Sequence, residues 1–358
     1  MKERGLFMRP LIVLGLAVAF LLVFFPSSFP RAQEDETLPA YARRGPYAVG
    51  TRDLRLEDDQ RPLAITIWYP ALNPDGVPER ASYDVGLRLM RQGQALRDAP
   101  PDPGGGPYPL VIFSHGLGGL RVQSLFLTEH LASYGFVVMA ADHPGSTLYD
   151  SIFSGNSQGI ITSFAWRPLE VLREIAFAET LTAPGGPLAG LIDTDRVAVS
   201  GHSFGGYTAI AAGGGWLDFD ALEAWCRSPW GVNLQPGNEP PFQQAPVPRA
   251  QTGTACFMRA QEETVARIRG LETPPEGPWP ATTDPRIRAV VALAPANAPL
   301  FGAEGLATLT VPTMIQVGSA DSLTPPERDA YRFYVDLSRA AKTLVVLQGA
   351  NHLVFADG

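Results

Sequence analysis

One pattern constrains the fold more than any other. Short apolar runs (LVIF, FVVMA, RVAVS, IRAVVAL, TMIQVG and TLVVL) alternate with longer segments whose apolar residues recur three and four apart. Unbroken runs of that length suit strands buried on both faces, and such strands belong to a parallel sheet covered by helices. RVQSLFLTEHLASYG, with Leu125, Leu127 and Leu131 ahead of Gly135, has helical spacing. So do RPLEVLREIAFAETL, where Pro168 is tolerable in the first turn, FGGYTAIAA and PPERDAYRFYVDLSRAA. Ahead of these, YAVGTRDLRL and RPLAITIWYPA read as a hairpin turned at DDQ. The expectation is an α/β fold with about eight strands, mostly parallel, the first two antiparallel, flanked by helices.

Two regions break the rhythm. The stretch after the hairpin is polar and rich in Pro and Gly, ends in APPDPGGGPYP, and reads as a linker. Residues 215–284 carry no strand signal, both cysteines, four tryptophans and many prolines. They read as an insertion between the helix after the fifth strand and the sixth strand, either a lid over a pocket or a surface loop.

Residues 1–32 have the composition of an export signal. Lys2, Arg4 and Arg9 precede the fifteen apolar residues LIVLGLAVAFLLVFF, too few for a comfortable membrane span, and small and polar residues lead to a cut after Ala32. An uncleaved anchor is the alternative. The domain is then expected over residues 45–358, outside the cytoplasm. The whole chain carries −8. Losing four basic residues and one acidic residue leaves the mature part near −11. No basic stripe is present, which excludes nucleic acid as a partner, and no stable membrane partner is expected beyond the leading segment. The even pair Cys226 and Cys256 in an exported chain predicts a disulfide over two buried thiols. No metal-ligand spacing occurs, and neither metal nor cofactor is expected.

In a parallel sheet, ligands sit at the carboxyl ends of strands. Four suggestive stretches fall there: SHGLGG, DHPG, GHSFGG and GSAD. GHSFG between RVAV and GYTAIAA fits a nucleophile elbow, in which Ser203 occupies a strained turn and projects its hydroxyl above the sheet. Gly201 and Gly205 make room for that turn. A serine needs a base, and His352 is the one histidine of five that follows Ser203 in the chain. Six aspartates lie between them. Asp218, Asp220 and Asp284 fall in or beside the insertion, and a solvated helix face explains Asp329 and Asp336. Asp321 alone sits at a strand end and is the expected acid. The oxyanion requires backbone donors, expected at Phe204 and, in SHGLGG, at Leu117. His115 is expected to brace that glycine loop. His143 and Trp166 are candidates for lining a substrate pocket, as are Phe153, Trp216, Trp225 and Trp230, although core packing explains most such residues.

YPLVIFSHGLGG, LASYGFVVMAADHPG, RPLEV and GHSFGGYTA together resemble the α/β-hydrolase superfamily. More narrowly they are similar to secreted platelet-activating-factor acetylhydrolases and dienelactone-hydrolase-like enzymes, over roughly residues 45–215 and 285–358. The resemblance implies a triad of Ser203, Asp321 and His352 with Leu117 and Phe204 as oxyanion donors. Three departures stand out. The acid follows the seventh expected strand rather than the sixth, as in secreted polyester hydrolases, and the sixth ends in LAPANAP with Asn297. The nucleophile is serine where dienelactone hydrolases use cysteine. The chain stops six residues past His352, which suggests a truncated chain or a mobile base. The expected activity is hydrolysis of small-molecule carboxylic esters of short acyl chains. A lipase or amidase, a haloperoxidase-like enzyme, or a non-catalytic binding protein of the same fold are the alternatives.

Overall fold

A computed structural model of the chain describes residues 39–57, 61–86, 89–151, 157–227, 256 and 258–357. The expected export signal, Phe153 and Trp230 lie outside them. The chain divides into residues 1–43 and 44–358. Of the first part, the described piece contains a single 3₁₀ turn, Ala40–Ala42. Among the described residues, no helix is long and apolar enough to cross a membrane.

The second part is built on strands β1 Ala48–Leu56, β2 Leu63–Ala71, β3 Ala81–Gly86, β4 Leu89–Gly93, β5 Leu96–Arg97, β6 Tyr108–Ser114, β7 Val137–Ala141, β8 Ile192–His202, β9 Ile287–Leu293, β10 Thr313–Gly318 and β11 Lys342–Leu347. Nine of them form one sheet in the order β11-β10-β9-β8-β6-β7-β2-β1-β5. Strands β6 to β11 are mutually parallel, and β2 pairs antiparallel with both β1 and β7. All eight expected strands are present, and β5 adds a two-residue edge.

The apolar runs bury both faces because side chains alternate along each strand. In β6, Leu110 and Ile112 enter one core while Val111 and Phe113 enter the other. Helix α1, Leu125–Ser133, covers the second face with Leu125 and Ala132. Helices α2, Ser157–Thr182, and α3, Phe204–Ala212, cover the first. The strand after β6 is laid on one side of it and the next, β8, on the other. Such a reversal opens a crevice at the carboxyl ends of the two central strands, here at Ser114 and His202.

The linker expected after β2 is in fact partly a β-hairpin. β3 and β4 pair antiparallel, with Ala81 and Tyr83 turned inward. Trp68 Nε1 donates to Tyr83 Oη at 2.9 Å, and Tyr83 donates to Glu129 on α1 at 2.8 Å. A hairpin with one polar face lacks a long apolar run, which is why its composition reads as linker.

The insertion is anchored. Helices α4, Phe219–Arg227, and α5, Glu262–Ile268, carry Phe219, Leu222, Trp225 and Val265 into the main core, where Trp279 is fully buried. The Cys226–Cys256 disulfide joins its two flanks across 30 residues. These flanks are part of the domain's core, and of the residues 215–284 expected to form a lid or a surface loop, 228–255 and 257 lie outside the described residues. Helix α6, Gly302–Leu306, and helix α7, Ala330–Asp336, complete the layers.

Candidate active site

Ser203 sits between β8 and α3 with φ 58° and ψ −115°. That is costly backbone for a residue with a Cβ, and it is the geometry a nucleophile elbow requires. The glycines on either side are set by close approach. A Cβ on Gly201 would lie 2.3 Å from Gly205 O, and one on Gly205 would lie 1.9 Å from Ser114 O. Sequence spacing and structure agree here for one physical reason: the turn presses against β6.

Asp321 follows β10 and His352 follows β11, and the two adjacent parallel strands bring them together. His352 Nδ1 lies 2.7 Å from Asp321 Oδ2. Asp321 Oδ1 accepts the amides of Leu323 and Thr324 at 2.9 and 2.8 Å, and the Thr324 hydroxyl donates to Oδ2 at 2.8 Å. Burial pushes the carboxyl up, but the His352 hydrogen bond and charge, with the Thr324 donors, outweigh it and hold Asp321 below the ordinary aspartate value. A carboxylate at Nδ1 fixes the tautomer that leaves Nε2 free to accept a proton.

His202 and Gln123, neither foreseen from the sequence, tie this pair to the elbow. His202 Nε2 donates to the His352 carbonyl at 2.9 Å, and the two rings lie 4.6 Å apart. His202 Nδ1 accepts from Gln123 Nε2 at 2.9 Å, while Gln123 Oε1 accepts the Gly116 amide at 2.9 Å. One amide side chain therefore joins the glycine loop after β6, the elbow and, through His202, the histidine loop. Burial first, then the neighbouring His352, lowers His202 to about 4, so the ring is neutral and its two nitrogens keep distinct roles.

His352 is buried, and the turn after it is bolted to the start of α1. Ser124 Oγ donates to Phe355 O at 2.7 Å, and the Asp357 carboxylate accepts the amide of Leu125 at 2.6 Å.

In the glycine loop, Gly116 N–H goes to Gln123, Gly118 N–H to Ser146 O and Gly119 N–H to Gly116 O. The Leu117 amide has no acceptor among the described residues, and a Cβ on Gly116 would lie 3.5 Å from Ser203 Cβ. Phe204 opens α3, where the first amides have no intrahelical acceptor. Both expected donors are thus unspent among the described residues, Phe204 directly after Ser203 and Leu117 directly after Gly116, which packs against it.

His115 braces the loop, with Nδ1 2.6 Å from Gly116 O and Nε2 accepting the His143 amide at 3.1 Å. The pocket expectation for His143 is corrected. Its ring is fully buried, with Nδ1 2.8 Å from Glu170 and Nε2 2.9 Å from Ser114 Oγ, so both nitrogens are consumed inside the protein. Burial, then the Arg167 charge, lowers it to about 4. Trp166 packs its indole under the Arg61 guanidinium, 4.8 Å away. Neither is brought to Ser203. Asp329 is also corrected. It is buried rather than solvated, and its Oδ1 accepts the Ala298 amide at 3.0 Å.

Two family models match. Residues 90–158 match "Platelet-activating factor acetylhydrolase, isoform II", and residues 278–358 match "PET hydrolase-like". The first span holds the glycine loop and the second holds Asp321 and His352, and Ser203 lies between them. A platelet-activating factor acetylhydrolase of Canis lupus familiaris is 28% identical over 244 residues, 51% of this chain and 54% of that one. That of Bos taurus is 27% identical over 222 residues, 46% and 50%. The chain spans about half the length of these relatives. A solved ferulic acid esterase from Streptomyces cinnamoneus superposes with a TM-score of 0.53 at 21% identity, covering 90% of this chain and 78% of that one. The chain has the α/β-hydrolase fold. Within α/β-hydrolases, residues 90–158, with the glycine loop, are similar to platelet-activating factor acetylhydrolases, and residues 278–358, with Asp321 and His352, to the PET hydrolase-like family.

Proposed function

We propose that the protein is a serine ester hydrolase. The observation that carries the reading is the Asp321–His352 pair, held against a strained Ser203 elbow through His202. The remaining link, from His352 Nε2 to the Ser203 hydroxyl, belongs to the proposal. Ser203 Oγ attacks the ester carbonyl as His352 takes its proton, and the oxyanion is received by the Phe204 and Leu117 amides. His352 returns the proton to the departing alcohol. Water, deprotonated by the same ring, then releases the acid from the acyl-enzyme.

The substrate class we propose is short acyl or aryl esters. The names of the similar proteins support it, because they act on an acetyl ester, a polyester or a ferulic ester. We also propose that the chain is exported and cut after Ala32, a reading supported by the disulfide.

The test is turnover of p-nitrophenyl esters from acetate to palmitate by wild type and Ser203→Ala. Turnover peaking at two to four carbons and lost in the variant, with the fold intact by circular dichroism, is expected. Turnover retained by Ser203→Ala would overturn the assignment, and a maximum at long chains would replace the esterase with a lipase. N-terminal sequencing of the exported protein should begin at Gln33.

A further inference from the structure

RPLEV opens with a residue that the triad does not use. The Arg167 side chain is fully buried on α2. Burial lowers its pKa to about 9, which leaves it charged at neutral pH. Its hydrogen bonds run to neutral acceptors. Nε reaches Ser146 Oγ at 3.0 Å, Nη1 reaches His115 O at 2.6 Å and Nη2 reaches Gly116 O at 3.4 Å. The Glu170 charge on the same helix offsets part of the burial cost. The guanidinium's hydrogen bonds, however, go to two carbonyls and a hydroxyl, and a buried cation held in that way is expensive to fold around, so its placement asks for a reason.

The reason lies in what those carbonyls belong to. Gly116 O receives three donors: His115 Nδ1 at 2.6 Å, the Gly119 amide at 3.1 Å and Arg167 Nη2 at 3.4 Å. In a planar trans peptide the C=O and N–H point in opposite directions. Donors that pull the Gly116 carbonyl inward therefore turn the Leu117 N–H outward, on the peptide that borders Ser203. Hydrogen bonds to the carbonyl also polarise the peptide and strengthen its N–H as a donor. The same guanidinium lies 4.4 Å from the ring centroid of Phe204, the residue that supplies the other amide. One buried cation thus backs both halves of the oxyanion site.

We propose that Arg167 is a positioning residue for the oxyanion, fixing and polarising the Gly116–Leu117 peptide and bracing Phe204. It acts through these two groups and does not touch substrate. The inference rests on the serine-esterase reading.

Arg167→Met and Arg167→Lys test it, with folding checked by circular dichroism and thermal melting. The methionine variant keeps the bulk of the stem and removes the charge. The lysine variant keeps a cation in case the methionine variant does not fold. With p-nitrophenyl acetate, kcat is expected to fall about 100-fold in Arg167→Met and about 10-fold in Arg167→Lys, the scale of a damaged oxyanion donor, with KM within about threefold of wild type. A trifluoromethyl ketone forms a tetrahedral adduct that needs the oxyanion site, whereas the matching methyl ketone does not. The trifluoromethyl ketone Ki should rise by the same factor as kcat falls, while the methyl ketone Ki stays constant.

Wild-type kcat in a folded variant would overturn the proposal. So would a change in KM alone, or a loss of rate with an unchanged trifluoromethyl ketone Ki, which would mark a merely structural role. If wild type fails to turn over esters, or Ser203→Ala matches it, the esterase reading fails instead.

Discussion

Gln123→Ala removes the side chain that joins three loops, and its cost can be worked from the hydrogen bonds it breaks. The Gly116 amide loses its acceptor and His202 Nδ1 loses its donor, and both residues are buried. Each orphaned buried group costs about 1–3 kcal/mol. Gln123 itself is half-buried, so water can re-enter and recover part of that. The expected loss is about 2–3 kcal/mol in urea unfolding at pH 8, well above the ±0.5 kcal/mol of an ordinary surface change. Gln123→Glu separates hydrogen bonding from bulk. Its carboxylate still accepts the Gly116 amide, but it presents an oxygen to a nitrogen that needs a donor. His202 satisfies it only by taking a proton, which raises its pKa from about 4. The stability gap between Gln123→Glu and wild type should therefore narrow between pH 8 and pH 5.5, while the gap for Gln123→Ala should not. A Gln123→Ala protein within about 0.5 kcal/mol of wild type would refute the reasoning. So would a Gln123→Glu gap independent of pH.

Three further outcomes follow from the same contacts. Asp321→Asn should keep its Leu323 and Thr324 amide bonds yet reverse the tautomer of His352, lowering kcat on p-nitrophenyl acetate by about 10³–10⁴-fold with a normal melting curve. The stability of the fold should decline on mild acidification. His143 and His202 are held near 4, below the ordinary 6.5, so the unfolded chain takes up protons first as pH falls. Their contribution is complete above about 6.5 and is lost down to about 4, at about 3 kcal/mol for each ring. Urea midpoints measured from pH 7.5 to 4.5 check the direction. Replacing Cys226 and Cys256 by serine together should lower stability by about 3–4 kcal/mol in the chain-entropy model, read from the same titration.

The sequence shows the elements whose signal is local. Each buried strand writes a continuous apolar run, and the elbow writes two glycines because β6 presses on it. His352 and Asp321 were legible because strand ends in a parallel sheet share one edge. What stayed hidden depends on packing between distant segments. The β3–β4 hairpin has only one buried face, so its composition looks like linker. His143 reads as a pocket-lining residue, and only the approach of Glu170 from α2 shows it to be an internal brace, as His115 was expected to be. A charged residue among apolar ones, as in RPLEV, was the available signal for that network. Gln123 offered none, because its two hydrogen bonds reach residues 7 and 79 positions away.

The central claim is that Ser203 is a nucleophile activated in place. Peptide mapping by mass spectrometry after exposure of folded protein to a fluorophosphonate tests it directly. The account predicts one adduct, on Ser203, formed in step with loss of ester turnover and absent in Asp321→Asn on the same timescale. An adduct elsewhere, or no adduct on folded protein that still hydrolyses esters, would contradict it.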